Sequence, residues 1–158
     1  MSRVSTPGLR GTLLGALVRL WNPLVRRLLE SPLHWPLSRW FAVLAWTGRK
    51  TGRRYSTPVS FVREGRTAYV TTGDRWWRNL TEGGPVAMRI AGRWREGTAA
   101  PLMDPAESRA QHERLFREYS WFRLLAGIAR GPGGGPDTAA VARAVMAGRV
   151  LVRIELER

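Results

Sequence analysis

The chain has 158 residues, 44% of them hydrophobic, and sets 26 Lys and Arg against 12 Asp and Glu for a net charge of +14. That length and apolar content describe one folded domain with a real core and exclude a disordered chain. The absence of cysteine excludes disulfides and thiolate metal sites, and with His34 and His112 as the only histidines a metal site would need carboxylate partners. The surplus charge directs the surface toward anions: nucleic acid, anionic lipid or a phosphorylated cofactor. Lys50 is the only lysine. The placement of the charges says more than their number.

Residues 1–7 carry no signal-peptide cleavage pattern. Over residues 9–30, Leu13, Leu17, Leu20 or Trp21, Leu24 and Leu28 recur at three- and four-residue spacing, which predicts an amphipathic helix with Pro23 as a break or restart. Arg19, Arg26 and Arg27 exclude a comfortable membrane span. Packing against the domain is the commoner use of such a helix; lying on an anionic membrane surface is the other. Residues 31–40, SPLHWPLSRW, read as irregular, with His34 packed or exposed and not catalytic. The expected organisation is an N-terminal helical segment over 1–40 and a β-rich domain over 41–158.

Two runs of strand character, 41–47 and 56–62, flank a tight turn that carries Arg49, Lys50, Arg53 and Arg54, with Arg63 just beyond. Gly48 and Gly52 permit positive φ there and leave backbone N–H groups to face an anion. The turn is a phosphate or carboxylate cradle on one reading and a solvated basic hairpin loop on the other. A lone lysine among arginines offers a compact, strongly hydrated point charge in place of a planar fork.

Residues 66–72 alternate as a third strand after a turn at Glu64 and Gly65. In GDRWWRNLTEGG, Asp74 is an N-cap candidate for a short helix over 75–81 that Gly83 and Gly84 close. Trp76, Asn79 and Leu80 share one side of it, and Arg75 and Arg78 a neighbouring one. At least one of the adjacent tryptophans belongs in the core. The functional alternative makes Trp76 an aromatic wall and Asn79 a ligand hydrogen-bonder. Residues 85–91 and 94–102 form a hairpin around Gly92. A helix over 105–126 opens at Pro105 and Glu107 and carries Leu115, Tyr119, Phe122 and Leu125 on its apolar stripe, with His112 on its solvated face. GPGGGP is a loop, Asp137 caps an Ala-rich helix to Ala147, and RVLVRIEL ends the chain as an alternating strand. The expected fold class is therefore α+β: about six mostly antiparallel strands in a small, Greek-key-like barrel or strongly coiled sheet, with an N-terminal helix and late helices. No βαβ rhythm or dinucleotide glycine fingerprint supports a Rossmann fold.

A strand, TGRKTG, a basic pair, the step Ser56-Thr57-Pro58-Val59, a Gly-led third strand and Trp76-x-x-Asn79-Leu80 follow one another in an order that resembles the deazaflavin-dependent nitroreductase and quinone reductase family. Members have the split β-barrel of flavin-binding, pyridoxamine-phosphate-oxidase-like proteins. The likeness spans about residues 40–102, and the closing helix and strand fit it. It implies coenzyme F-420, an 8-hydroxy-5-deazaflavin with a phosphate and a polyglutamate tail, with FMN or no cofactor as the alternative. The charge clustered at Arg49, Lys50, Arg53 and Arg54 suits the phosphate and carboxylates, Thr51 is a further cofactor-binding residue by the same resemblance, and Lys50 matches the basic residue of the Gly-Arg-Lys motif. Pro58 and Val59 lie against the ring, Val70, Thr71 and Thr72 line it, Trp76 and Asn79 hold the tail or phosphate side, and Tyr55, Ser56 and Arg75 are further cofactor-binding candidates.

Two departures stand out: Tyr55 occupies a place where relatives often carry Arg, and TGDR is shorter than their phosphate loop, leaving Arg75 or Arg78 to substitute. The implied reaction is hydride transfer from the reduced coenzyme to an electron-poor acceptor such as a quinone, nitroaromatic or activated enone. Tyr119 matches the helix tyrosines of relatives, one of which donates the proton, although its apolar stripe places it in the core. The implied setting is cytoplasmic, with a small-molecule acceptor, no nucleic acid, a homodimer, and a peripheral contact at the inner membrane face through residues 9–30. The alternatives are a nucleic-acid binder using interleaved Trp and Arg, for which no RRM, zinc or helix-turn-helix signature is present, and a non-catalytic split barrel that holds a flavin or lipid.

Overall fold

Alternating side chains become the two faces of a closed barrel. In the computed structural model, β1 (Phe41–Thr47), β2 (Arg54–Glu64), β3 (Thr67–Thr72), β4 (Gly84–Ile90), β5 (Arg93–Pro101) and β6 (Val150–Leu156) pair antiparallel in the order β1-β2-β3-β6-β5-β4, and β4 returns to β1. The structure describes residues 37–80 and 83–158, together with Pro23, Leu24, Arg27, Glu30 and Ser31. Pro23, Leu24, Arg27 and Glu30 are helical. The rest of the helix expected over 9–30, and His34, lie outside the described residues. Among the described residues no helix is long and apolar enough to cross a membrane.

Leu44 and Trp46 of β1, Val59 and Phe61 of β2, Val70 of β3, Met88 of β4 and Ile154 of β6 meet inside the barrel. Each such burial contributes about 1.5–3 kcal/mol. β5 brings Gly97 to the interior, where a Cβ would stand 2.5 Å from the Glu155 carbonyl oxygen, so the close approach of β5 and β6 requires glycine. Closure removes the free edges that an open sheet would expose.

The outer face of β2, β3 and β6 is covered by α1 (Pro105–Glu118), α2 (Ser120–Leu125) and α3 (Thr138–Met146). Leu115, Phe116, Phe122 and Val141 from these helices pack on Val62 and Leu151 in a second core. Asp137 caps α3 through its side chain, as expected, and Asp104, which the sequence reading did not single out, caps α1 in the same way. The helix expected over 105–126 is two helices. Tyr119 leaves helical geometry at φ −118° and ψ 86°, and its hydroxyl reaches Glu64 at 3.3 Å.

His112 corrects a second expectation: it does not sit on a solvated face but is fully enclosed between α1 and β3. Ser108 O can only accept, so Nδ1 donates to it at 2.8 Å, and Nε2 accepts from the Thr71 hydroxyl at 2.9 Å. Asp74 does not directly precede the short helix. That element is a 3-10 helix over Trp76–Leu80, and Asp74 donates its backbone N–H to Thr72 Oγ1.

Alternating strand directions place the β1–β2 turn and the β3–β4 connection at the same end of the barrel. β3 and β4 are not neighbours, so their connection crosses the mouth. Leu80 of the 3-10 helix is buried with the interior side chains and anchors that crossing.

Candidate functional site

The mouth is built from the β1–β2 turn. Gly48 N–H bonds Arg53 O at 2.7 Å, Gly52 N–H bonds Gly48 O at 2.9 Å, and Gly52 takes φ +65°. Gly48 does not adopt positive φ, contrary to expectation. Its missing side chain matters for space, because a Cβ would stand 2.6 Å from Tyr55 Cε2 and 2.8 Å from Thr51 Oγ1. Tyr55 and Thr51 share a hydrogen bond at 3.1 Å, and Thr51 Oγ1 also accepts from Arg53 N–H. The rings of Tyr55, Trp46 and Trp76 form a continuous stack, with centroids 6.0 Å apart for the first pair and 5.2 Å for the second. Asn79 ties the 3-10 helix to the turn. Its Nδ2 donates to Trp76 O at 3.0 Å, and its Oδ1 accepts from Arg49 N–H at 3.2 Å.

Between these elements lies a cavity of about 430 Å³ lined by Trp46, Gly48, Arg49, Lys50, Thr51, Tyr55, Trp76, Arg78 and Asn79. One wall is aromatic and the rim is basic; among the described residues no carboxylate lines it. Such a site favours a flat ring carrying negative charge. Of the residues singled out in the sequence, the structure gathers Arg49, Lys50, Thr51, Tyr55, Trp76 and Asn79 here.

The others lie elsewhere. Arg54 stacks over the Trp94 ring at 5.9 Å and borders a second groove of about 320 Å³ with Thr47, Glu96 and Glu157. Ser56 and Pro58 are half-buried, in register with Ala45 and Val43 of β1. Val59 and Val70 are 7% and 0% exposed inside the barrel, so their side chains serve packing and do not line the cavity. Thr71 is held by His112 and Arg149, Thr72 is buried, and Arg75 is exposed outside the cavity lining.

Tyr119 is also apart. Glu64, its partner, is nine residues along β2 from Tyr55, up to about 30 Å at strand rise. Arg114 grips both oxygens of that carboxylate at 2.9 and 3.1 Å and holds it below its ordinary pKa. Burial, with the charge of Glu64, pushes the Tyr119 phenol up. This is a tie between α1 and β2.

Trp46 is the lining residue that the sequence reading left out of the site; of Arg75 and Arg78, the two named as substitutes for the shortened loop, Arg78 lines it. Alternation assigns Trp46 to the core beside Leu44, and nothing in a single strand marks its last inward position as the barrel mouth. Both adjacent tryptophans are half-buried, and the Arg78 guanidinium lies 5.7 Å from the Trp77 ring.

Comparisons with known proteins agree with this fold. Among solved structures, a protein related to general stress protein 26, of the pyridoxinephosphate oxidase family, from Clostridium acetobutylicum is 12% identical, with 83% of this chain and 84% of that chain covered at a TM-score of 0.52. A Bacteroides thetaiotaomicron protein assigned to 5-nitroimidazole antibiotic resistance is 13% identical over 77% and 76% of the two chains, at 0.51. An F-420 reductase is 19% identical over 76% and 88%, at 0.44. At these identities the likeness is one of fold, the split barrel. No curated protein matches the chain. The profile of the F-420H(2)-dependent quinone reductases matches residues 31–121, more than half of the chain and the whole cavity lining. The chain belongs to the F-420H(2)-dependent quinone reductase family.

Proposed function

We propose that the mouth cavity binds coenzyme F-420 and that the protein is an oxidoreductase passing its hydride to an electron-poor acceptor, a quinone before a nitroaromatic or enone. The observation that carries this reading is the pairing of an aromatic wall with a basic rim in one cavity. The residues present fit the group. Gly48 gives up its side chain where a Cβ would displace Tyr55 from the wall, and the cations match a phosphate and several carboxylates. When bound, the reduced coenzyme supplies a hydride from its C5 carbon.

The chain's own part is binding and orientation. Lys50 and Arg49 meet the anionic groups, Lys50 as a point charge and Arg49 as a fork. Trp46, Tyr55 and Trp76 present a flat surface to the ring system. Asn79 holds the Arg49 backbone and so keeps the turn against the 3-10 helix. Fixing these groups before the ligand arrives lowers the ordering cost of binding.

Fluorescence titration with coenzyme F-420, using wild type and Lys50→Ala, tests the reading. Saturable binding that Lys50→Ala weakens tenfold or more, about 1.4 kcal/mol, is expected. Absence of binding, equal affinity in the variant, or tighter binding of FMN than of the deazaflavin would overturn it.

A further inference from the structure

We propose that Tyr55 is the catalytic acid of this site, its phenol giving the proton that the acceptor needs once it holds the hydride. The inference rests on the mouth cavity's being the coenzyme site. Reducing a quinone to its hydroquinone takes a hydride and a proton, so the hydride step leaves the acceptor short of a proton. Tyr119, expected to give it, is bonded to Glu64 outside the cavity lining. Another group must take that part.

Few of the lining groups can give a proton. Trp46, Gly48, Trp76 and Asn79 carry none that leaves near neutrality, and the guanidinium groups of Arg49 and Arg78 keep theirs. Lys50 is engaged by the anionic groups of the ligand. That leaves two hydroxyls. Tyr55 is 41% exposed, lines the cavity and ends the aromatic stack, its ring 23° from the plane of Trp46. Thr51 lines the cavity too, and its Oγ1 lies 2.8 Å from where a Gly48 Cβ would stand. Both hydroxyls therefore sit on the exposed turn at the end of the aromatic wall. A donor held in this way is positioned before the acceptor arrives.

The hydrogen bonds leave the phenolic proton able to go. Thr51 Oγ1 accepts from Arg53 N–H at 3.3 Å and pairs with the Tyr55 hydroxyl at 3.1 Å, where either oxygen can donate. With the Thr51 proton directed to the Tyr55 oxygen, the Tyr55 proton is available to the cavity. The acceptor, holding the hydride and its electron pair, takes that proton on its negative oxygen: the Tyr55 O–H bond breaks as the product O–H bond forms. The phenolate takes the Thr51 proton, and Thr51 takes one from water. A proton thus enters from water for each hydride delivered, and no electrons pass through the chain. An equal proton returns to water from the oxidised coenzyme, which closes the balance.

The test uses the full chain, coenzyme F-420 and a water-soluble benzoquinone. Tyr55→Phe keeps the stacked ring and removes the hydroxyl. It is expected to bind the coenzyme within about twofold of wild type and to lose about a hundredfold in kcat. The loss should widen from about pH 6 to about pH 8, because the variant draws its proton from solvent. A second readout needs no turnover. The chain has three tyrosines, so with isotope at the phenol carbon the Tyr55 resonance is the one that Tyr55→Phe lacks. In wild type saturated with the oxidised coenzyme, that resonance is expected to move as benzoquinone is added. Turnover of Tyr55→Phe within about twofold of wild type, a loss of coenzyme affinity as large as the loss of turnover, or a Tyr55 resonance that benzoquinone leaves in place overturns the inference while the coenzyme site stands. If Tyr55→Phe fails to fold, Tyr69→Phe and Tyr119→Phe assign the resonance by elimination and it decides alone. Wild type that does not bind the coenzyme overturns both readings.

Discussion

Lowering the pH from about 7 to about 5 is expected to remove about 2 kcal/mol of folding stability through one side chain, His112. The imidazole is fully enclosed, donates from Nδ1 to Ser108 O and accepts at Nε2 from Thr71, whose Oγ1 also receives Arg149 Nη1 at 3.3 Å. Burial lowers its pKa from 6.5 to about 4; the Ser108 carbonyl works the other way, and the Arg149 charge adds to the lowering. Arg149 is itself pushed down by burial, with Asp74 acting against that.

In the unfolded chain the imidazole takes up its proton near 6.5, and in the folded chain only near 4. Between those values the unfolded state binds more protons, so stability falls as pH drops through the window and the loss is complete below about 4. At about 1.4 kcal/mol per unit inside the window, the change from pH 7 to pH 5 comes to about 2 kcal/mol, out of roughly 5–15 for an ordinary domain. Urea unfolding followed by tryptophan fluorescence at about pH 7, 6 and 5, in wild type and His112→Gln, measures it. The carboxylate of Glu64, lowered by Arg114, titrates below this range. Subtracting the variant removes groups that behave alike in both proteins. Parallel pH dependence in the two proteins would refute the reasoning, because it would mean that the imidazole charges as easily inside the protein as outside.

Gly48→Ala should move Tyr55 off the Trp46 ring, since the new Cβ would lie 2.6 Å from Tyr55 Cε2. The nearest atoms belong to exposed side chains that can shift, so melting should show a loss of only about 1 kcal/mol. Coenzyme affinity, read by fluorescence, should fall by more than that. Tyr119→Phe should leave coenzyme affinity and turnover within about twofold of wild type, because the hydroxyl is bonded to Glu64 outside the cavity lining. Its melt should report at most about 1 kcal/mol, and a collapse of turnover with intact coenzyme binding would return Tyr119 to the reaction.

Much of the barrel follows from local pattern. The apolar run at 41–47 and the alternation in 66–72 and 149–156 predicted strands, and the strands there run almost as expected. Asp137 caps its helix as its residue type predicted. β2 runs longer than its apolar stretch because Arg54 and Glu64, polar at either end, still pair with Thr47 and Thr67.

The basic turn and Trp76-x-x-Asn79 are likewise chemistry that can be read in the chain, because charge, aromaticity and spacing are local properties. Local properties say nothing about which segments meet. The burial of His112 depends on β3 lying under α1. The separation of Tyr119 from Lys50 depends on the length of β2, and the exclusion of Val59 and Val70 from the cavity depends on barrel closure. The joining of turn, 3-10 helix and Trp46 into one cavity depends on β3 and β4 being non-neighbours, so that their connection must cross the mouth. Strand order is decided by which faces bury together across the whole chain, and that sum exists only in the folded molecule.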